Sequence, residues 1–230
     1  MITTIFLDND GVLVDTEKYY CEANQVTCAR YGYDLTRTEY QHLFLASGIG
    51  LRQVSDLLGW SDETLASIRV ERDRLYGTLL QTREIVLPQV EEGLARLSNR
   101  FDLCVVTSSP RSFFDCIHER TGFSRFFRHV VSGECVTKHK PDPEPYMIAL
   151  RAMRSAPENG LAVEDSNRGV QSAIGAGLRC IAAPRKLTKD QDFSGAVAVV
   201  ENFTNVASVI ERLADESAIA RETIFQTAGF

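Results

Sequence analysis

The sequence predicts an α/β protein, a parallel sheet with helices on both faces plus an all-helical cap inserted after the first strand. Two observations predict it. Six short apolar runs alternate with segments of helical period, the pattern of strand–helix–strand units. One interval, residues 16–83, interrupts that alternation with helical signals alone. At 230 residues the chain is about 1.5 times a ~150-residue domain, so a core carrying an insertion is expected rather than two equal halves. With 44% hydrophobic residues, and about 70–75% of the unfolded surface buried at this size, one core needs no staples.

In chain order, Ile5 to Leu7 opens the sheet. Helices are then expected over Thr16 to Tyr31 (stopped at Gly32), Arg37 to Ser47, Leu51 to Leu58 (stopped at Gly59), and from an N-cap at Ser61 to about Leu80. Short helices cannot bury their apolar faces singly, so these four should pack together as a cap over the C-terminal edge of the sheet, where crevices open. A helix over Pro88 to Leu97 leads back to strands at Leu103–Val106, Val130–Val131, Leu161–Val163, Cys180–Ala182 and Val197–Val200. The expected division is residues 1–15 and 84–230 as the core domain and 16–83 as the cap. The tail from Glu216 to Phe230 reads equally as a packed helix or a frayed end.

Twenty-five basic against 31 acidic residues give a net charge of −6, which supplies no field to attract nucleic acid. No apolar run approaches the ~20 residues of a membrane span, and no secretory signal opens the chain. The six cysteines form no Cys-x-x-Cys pair and several lie in apolar runs, which suits buried thiols in a reducing, cytoplasmic compartment. A monomer or weak homodimer is expected.

Four segments carry chemistry. Asp8-Asn9-Asp10-Gly11 ends the first strand, and residues i and i+2 project to one side, so two carboxylates can converge there. That suits metal binding or a nucleophile beside an acid/base; alone, such a tetrad is usually an ordinary turn. The second strand runs into Thr107-Ser108-Ser109-Pro110, where hydroxyls and a helix N-terminus can meet an anion, or where a hydroxyl simply caps the helix. Lys140-Pro141 precedes another helix, and loop lysines are usually solvated. Glu164-Asp165-Ser166 ends a buried strand, where acids are costly unless paired or metal-bound, or where Asp165 or Ser166 caps the helix. Coincidence of all four, three of them at C-terminal strand edges of one expected sheet, makes chance placement the weaker account.

At these residues the sequence resembles the haloacid dehalogenase superfamily, in its branch with a helical cap (the phosphoglycolate phosphatase and β-phosphoglucomutase-like branch). Asp8 to Asp15 matches motif one, Thr107 motif two, Lys140-Pro141 motif three and Glu164-Asp165-Ser166 motif four, over residues 1 to about 183. The resemblance implies a Rossmann-like parallel sheet and a Mg²⁺-dependent phosphohydrolase acting on a small phosphate ester, such as a sugar or polyol phosphate. By position, Asp8 would be the nucleophile, Asp10 the acid/base, and Thr107 and Lys140 would neutralise phosphoryl charge. The metal would be held by Asp8, the Asp10 carbonyl and Asp165, with Glu164 direct or through water. Ser108, Ser109, Arg52 and Tyr20 are candidate substrate contacts, although a surface arginine and a packing tyrosine are the plain alternatives. The four histidines show no metal spacing and are assigned no role.

Two other functions share this core. A phosphosugar mutase would return the phosphoryl group to its substrate; that branch carries a histidine where this chain has Tyr20, which will not titrate near neutrality. A phospho-accepting switch domain combines similar strand-end residues, but is nearer half this length and needs no helical insertion. Dehalogenase chemistry is disfavoured because those relatives lack an acid at the position of Asp10.

Overall fold

The computed structural model describes residues 1–227. Six strands form one parallel sheet in the order β3-β2-β1-β4-β5-β6: β1 Thr4–Leu7, β2 Asp102–Val106, β3 Phe127–Val131, β4 Gly160–Glu164, β5 Arg179–Ala182 and β6 Ala198–Val199. The Rossmann-like α/β expectation holds. β1 is buried on both faces because its neighbours flank it and helices cover it: Ile5 and Leu7 enter one apolar cluster with Leu103, Val105 and Phe203, whereas Phe6 enters the other with Tyr146, Ala162 and Val170. Strand order reverses around β1, which places a crevice beyond its C-terminal end.

Between β1 and β2 the described backbone is helical. Helices α1 (Glu17–Arg30), α2 (Arg37–Tyr40), α3 (Leu51–Leu58) and α4 (Asp62–Thr82) share a core that includes Cys21, Leu35, Tyr40, Leu51 and Ile68. Thr36 and Glu39 form a reciprocal capping box at α2, and Ser61 caps α4 by accepting the Thr64 amide at 3.2 Å. The single α-helix expected from Arg37 to Ser47 is corrected: after Tyr40 the backbone runs as a π-helix over Gln41–Ala46. A pattern of apolar residues cannot register a change from four- to five-residue hydrogen bonding, and π-segments often mark functional sites.

Helix α5 (Val90–Ser98) begins two residues later than expected from Pro88, because Gln89 stands at φ 66° and cannot be its first turn. Helices α6 (Arg111–Thr121), α7 (Glu144–Met153), α8 (Asn167–Gly175) and α9 (Phe203–Thr227) complete the layers. The tail is therefore helical through Thr227, and its last three positions lie outside the described residues. Of the cysteines, Cys21, Cys28, Cys104 and Cys180 are buried, Cys116 is half-buried and Cys135 is exposed. No described helix is long and apolar enough to cross a membrane.

Candidate active site

Sheet register brings the motif residues together. Leu7 pairs with Val105 on one side and Val163 on the other, so the next positions along three strands, Asp8, Val106 and Glu164, emerge side by side. Asp8 donates its amide to the Val163 carbonyl (2.9 Å), which extends the ladder one residue past β1. The chain then turns sharply at Gly11, φ 86°, where a Cβ would lie 2.2 Å from an Asp165 carboxylate oxygen. Glycine is needed there both for its backbone angle and for the approach of that acid. Gly169, helical and needing no unusual backbone angle, is required only for close approach: a Cβ there would lie 1.8 Å from the Glu164 carboxylate.

Lys140 is 5% exposed, not solvated. Its Nζ donates to Asp8 Oδ1 (2.8 Å), Glu164 Oε1 (2.5 Å) and the Val106 carbonyl (2.8 Å), satisfying all three donors. Burial alone would lower its pKa, but the carboxylates of Asp8 and Glu164 outweigh burial and hold it above the ordinary lysine value. Glu164 Oε1 also accepts from the Tyr146 hydroxyl (2.5 Å).

Three buried carboxylates around one ammonium leave excess negative charge. Burial foremost, with repulsion from Glu164 and Asp10, raises the Asp8 pKa to about 8 despite Lys140. Burial, followed by Asp8, Glu164 and Glu17, holds Asp165 well above the usual carboxylate range. Ligand oxygens of Asp8, Glu164 and Asp165 lie within 4.8 Å of one another, a hard-oxygen donor set whose surplus charge fits a divalent cation. Ser166, not Asp165, caps α8, accepting the Gly169 amide at 3.2 Å, so Asp165 remains available to the cluster.

Asp10 also lines the cleft. Its Oδ2 accepts from Ser109 Oγ (2.8 Å), Asn9 Nδ2 (3.3 Å) and Thr107 Oγ1 (3.4 Å), and its Oδ1 from the Thr16 hydroxyl. Thr107 also accepts the Ser109 amide (3.0 Å), so motif two is tied to motif one. Ser108 is exposed on the cleft wall. The cleft, about 370 Å³, is closed opposite by the cap, where Glu17, Tyr20, Tyr40, Arg69 and Arg72 line it. Tyr20 packs edge-on against Tyr76 (5.1 Å) under the Arg72 guanidinium (4.8 Å), and burial pushes its hydroxyl up to about 12.

Arg52 does not join them. It lies on the exposed side of α3, paired with Asp56 (3.1 Å) and Asp62 (2.6 Å), because the buried face of that helix is Leu51, Val54 and Ser55. His118, assigned no role from spacing, is corrected as well: its Nε2 lies 2.8 Å from Asn9 Oδ1 and its Nδ1 3.0 Å from Thr121 Oγ1. Asn9 can only accept through that oxygen, so Nε2 carries the proton and Nδ1 accepts from the threonine. The imidazole thus orients Asn9, whose amide donates to Asp10.

Burial pushes His118 down to about 4, against the pull of Asp10 and Asp115. With an unfolded value of about 6.5, the unfolded chain takes up the proton first as pH falls, so stability from this group is complete above pH ~6.5 and lost toward pH ~4. The span is worth roughly 3 kcal/mol. His118→Gln, which keeps a donor for Asn9, is expected to flatten unfolding free energy across this window; an unaltered acid slope would contradict the assignment.

Sequence reasoning did not single out Thr16, Glu17, Tyr146 or Arg168. Glu17 lines the cleft, hydrogen-bonded by the Tyr40 hydroxyl, with its pKa raised by burial, against that bond, to about 7. Tyr146 lies on the buried face of α7 with Ala149 and Leu150, so its spacing reads as core and hides the hydroxyl.

A buried carboxylate paired with a buried lysine, a second carboxyl held by hydroxyls and a cluster of acidic oxygens thus meet at one edge of a parallel sheet. The model of the haloacid dehalogenase-like hydrolases matches residues 5–183, and the chain belongs to that family. It is 30% identical to protein CbbY of Cereibacter sphaeroides, over 91% of this chain and 96% of that one, and 30% identical to the phosphorylated carbohydrates phosphatase of Thermotoga maritima, over 88% and 96%. The crystal structure of Rhodobacter sphaeroides CbbY in complex with phosphate superposes with a TM-score of 0.78 at 28% identity, covering 88% of this chain and 95% of the other. The protein is a phosphatase of this family.

Proposed function

We propose that the protein is a Mg²⁺-dependent phosphatase of a small sugar or polyol phosphate, working through an aspartyl-phosphate on Asp8 in the cytoplasm. The observation that carries this reading is the division of labour between the two motif-one acids. Asp8 is buried against Lys140 and two further acids, whereas Asp10 is held by the hydroxyls of Thr16, Thr107 and Ser109 on the side facing the cap. In this reading Asp8 meets phosphorus and Asp10 the leaving oxygen.

In the first displacement an Asp8 oxygen bonds to phosphorus as the ester P–O bond breaks, and Asp10 gives its proton to the departing alkoxide. In the second, Asp10 takes a proton from water as the water oxygen attacks phosphorus and the Asp8–P bond breaks, regenerating both carboxyls. Lys140 and the Thr107 hydroxyl set positive charge and a donor against the phosphoryl oxygens. Asp8, Asp165 and the Asp10 carbonyl, with Glu164 direct or through water, would hold Mg²⁺, which supplies hard positive charge to the same oxygens.

On the cap side, Glu17 offers an acceptor for substrate hydroxyls, and Arg72 and Arg69 suit a second anionic group on the substrate. Arg72 is held by Asp73 (2.6 Å) and Asn24 (3.4 Å), whereas Arg69 has no side-chain partner among the described residues. T. maritima's relative is named for phosphorylated carbohydrates, in keeping with this wall. Screening a panel of phosphorylated sugars, polyols and hydroxy acids for phosphate release tests the substrate class: sugar or polyol phosphates should lead, and a preference for aromatic or nucleotide esters would contradict it.

Cation dependence has its own test. Mg²⁺ should raise the melting temperature of the protein without any substrate, since a ligand that binds only the native state stabilises it by mass action. In Asp165→Ala that shift should shrink, and residual activity should climb with added metal. Equal shifts in both proteins would remove Asp165 from the ligand set.

A further inference from the structure

We propose that Arg168 is a positioning residue that couples closure of the cap to the placement of Lys140. The inference rests on the reading of Lys140 as the group that neutralises phosphoryl charge. Arg168 sits in the first turn of α8, two residues beyond the Ser166 cap, so its base is rigid. Its Nη2 donates to the backbone carbonyl of Lys140, and its Nη1 to the carbonyl of Phe44 (3.4 Å) in the π-helical segment of the cap. One planar fork therefore holds both sides of the cleft.

Each side leads to the chemistry. On the core side the held residue is the lysine whose Nζ contacts Asp8 and Glu164. On the cap side Phe44 stacks on Tyr40 (centroids 4.7 Å, planes 18° apart), and the Tyr40 hydroxyl donates to Glu17 in the cleft. The cap loop also rests directly on the guanidinium: a Cβ at Gly48 would lie 2.2 Å from Arg168 Cζ. No lysine can reproduce this, because one ammonium cannot send planar donors in two fixed directions.

The fork is not a permanent lock. Arg168 Nε is buried without a hydrogen-bond partner, and leaving a donor unmet works against the closed arrangement. Opening the cap would wet that donor and relieve this cost. A second bond from cap to core, Gln41 Nε2 to the Leu187 carbonyl (2.8 Å), touches no motif residue and provides a control.

Hydrogen exchange on the full chain without substrate tests the coupling. In Arg168→Ala, amides of both 44–50 and 138–142 should exchange about tenfold faster, while the sheet keeps its protection. Gly48→Ala, acting from the cap side, should also speed exchange in 138–142, whereas Gln41→Ala should affect the cap segment alone. Arg168→Lys should behave as Arg168→Ala and lower kcat on a sugar monophosphate more than it raises KM. If exchange at 138–142 does not respond to Arg168→Ala or to Gly48→Ala, the coupling is overturned, whatever happens to turnover. If both respond in a protein that releases no phosphate from any ester, the coupling stands and the proposed function falls instead.

Discussion

Asp8→Asn is expected to fold normally and to lose phosphate release by at least roughly 10⁴-fold, because an amide oxygen is a poor nucleophile and a neutral ligand weakens cation binding. The stability half of this result follows from the sign of the Asp8 shift. With a native pKa of about 8, the folded protein holds a proton that the unfolded chain has released, so without metal stability declines as pH rises from ~4 toward ~8. Asparagine removes that penalty and still offers Lys140 an acceptor oxygen. At pH 8 without Mg²⁺, Asp8→Asn should therefore melt at or above the wild-type temperature, with activity and stability moving in opposite directions. Near-normal turnover in the purified variant would sink the nucleophile assignment.

Asp10→Asn should slow turnover by about 10²–10⁴-fold, the usual span for a positioned acid/base, with the fold intact. The Thr107 and Ser109 hydroxyls can still donate to an asparagine oxygen, and the Thr16 hydroxyl can turn to accept from its amide, so position should be kept while proton transfer is lost. An aryl phosphate, whose leaving group needs little protonation, should suffer less than an alkyl phosphate. The same proportional loss on both esters would mean that attack by water limits the rate, and the claim that Asp10 serves the leaving group would fail.

Much of this centre was legible because parallel sheets concentrate it at strand ends. Apolar runs locate β1, β2 and β4, and the polar residues that follow each run are the ones the register brings side by side. The residues that escaped notice are those whose meaning depends on where a helix faces. Tyr146 and His118 occupy buried helical positions where spacing signals packing, and the hydroxyl and imidazole matter only through Glu164 and Asn9, 18 and 109 positions away. Arg168 reaches the cap across 124 positions, a distance no local pattern can carry. Arg52 shows the reverse: a cation beside a glycine loop reads as a ligand contact, but α3 turns it toward solvent and its acidic neighbours.

The central claim is that water accepts the phosphoryl group from Asp8. In place of a titrating side chain, the first cap helix presents Tyr20, packed on Tyr76 with its hydroxyl pushed up to about 12, which cannot gate Asp10 by exchanging a proton near neutrality. The most direct test is to supply sugar monophosphates with and without a sugar bisphosphate primer and to follow free phosphate and isomer together. The account predicts phosphate released in step with dephosphorylated sugar, with no dependence on primer. Primer-dependent isomer formation that outruns phosphate release would contradict it and make the protein a mutase.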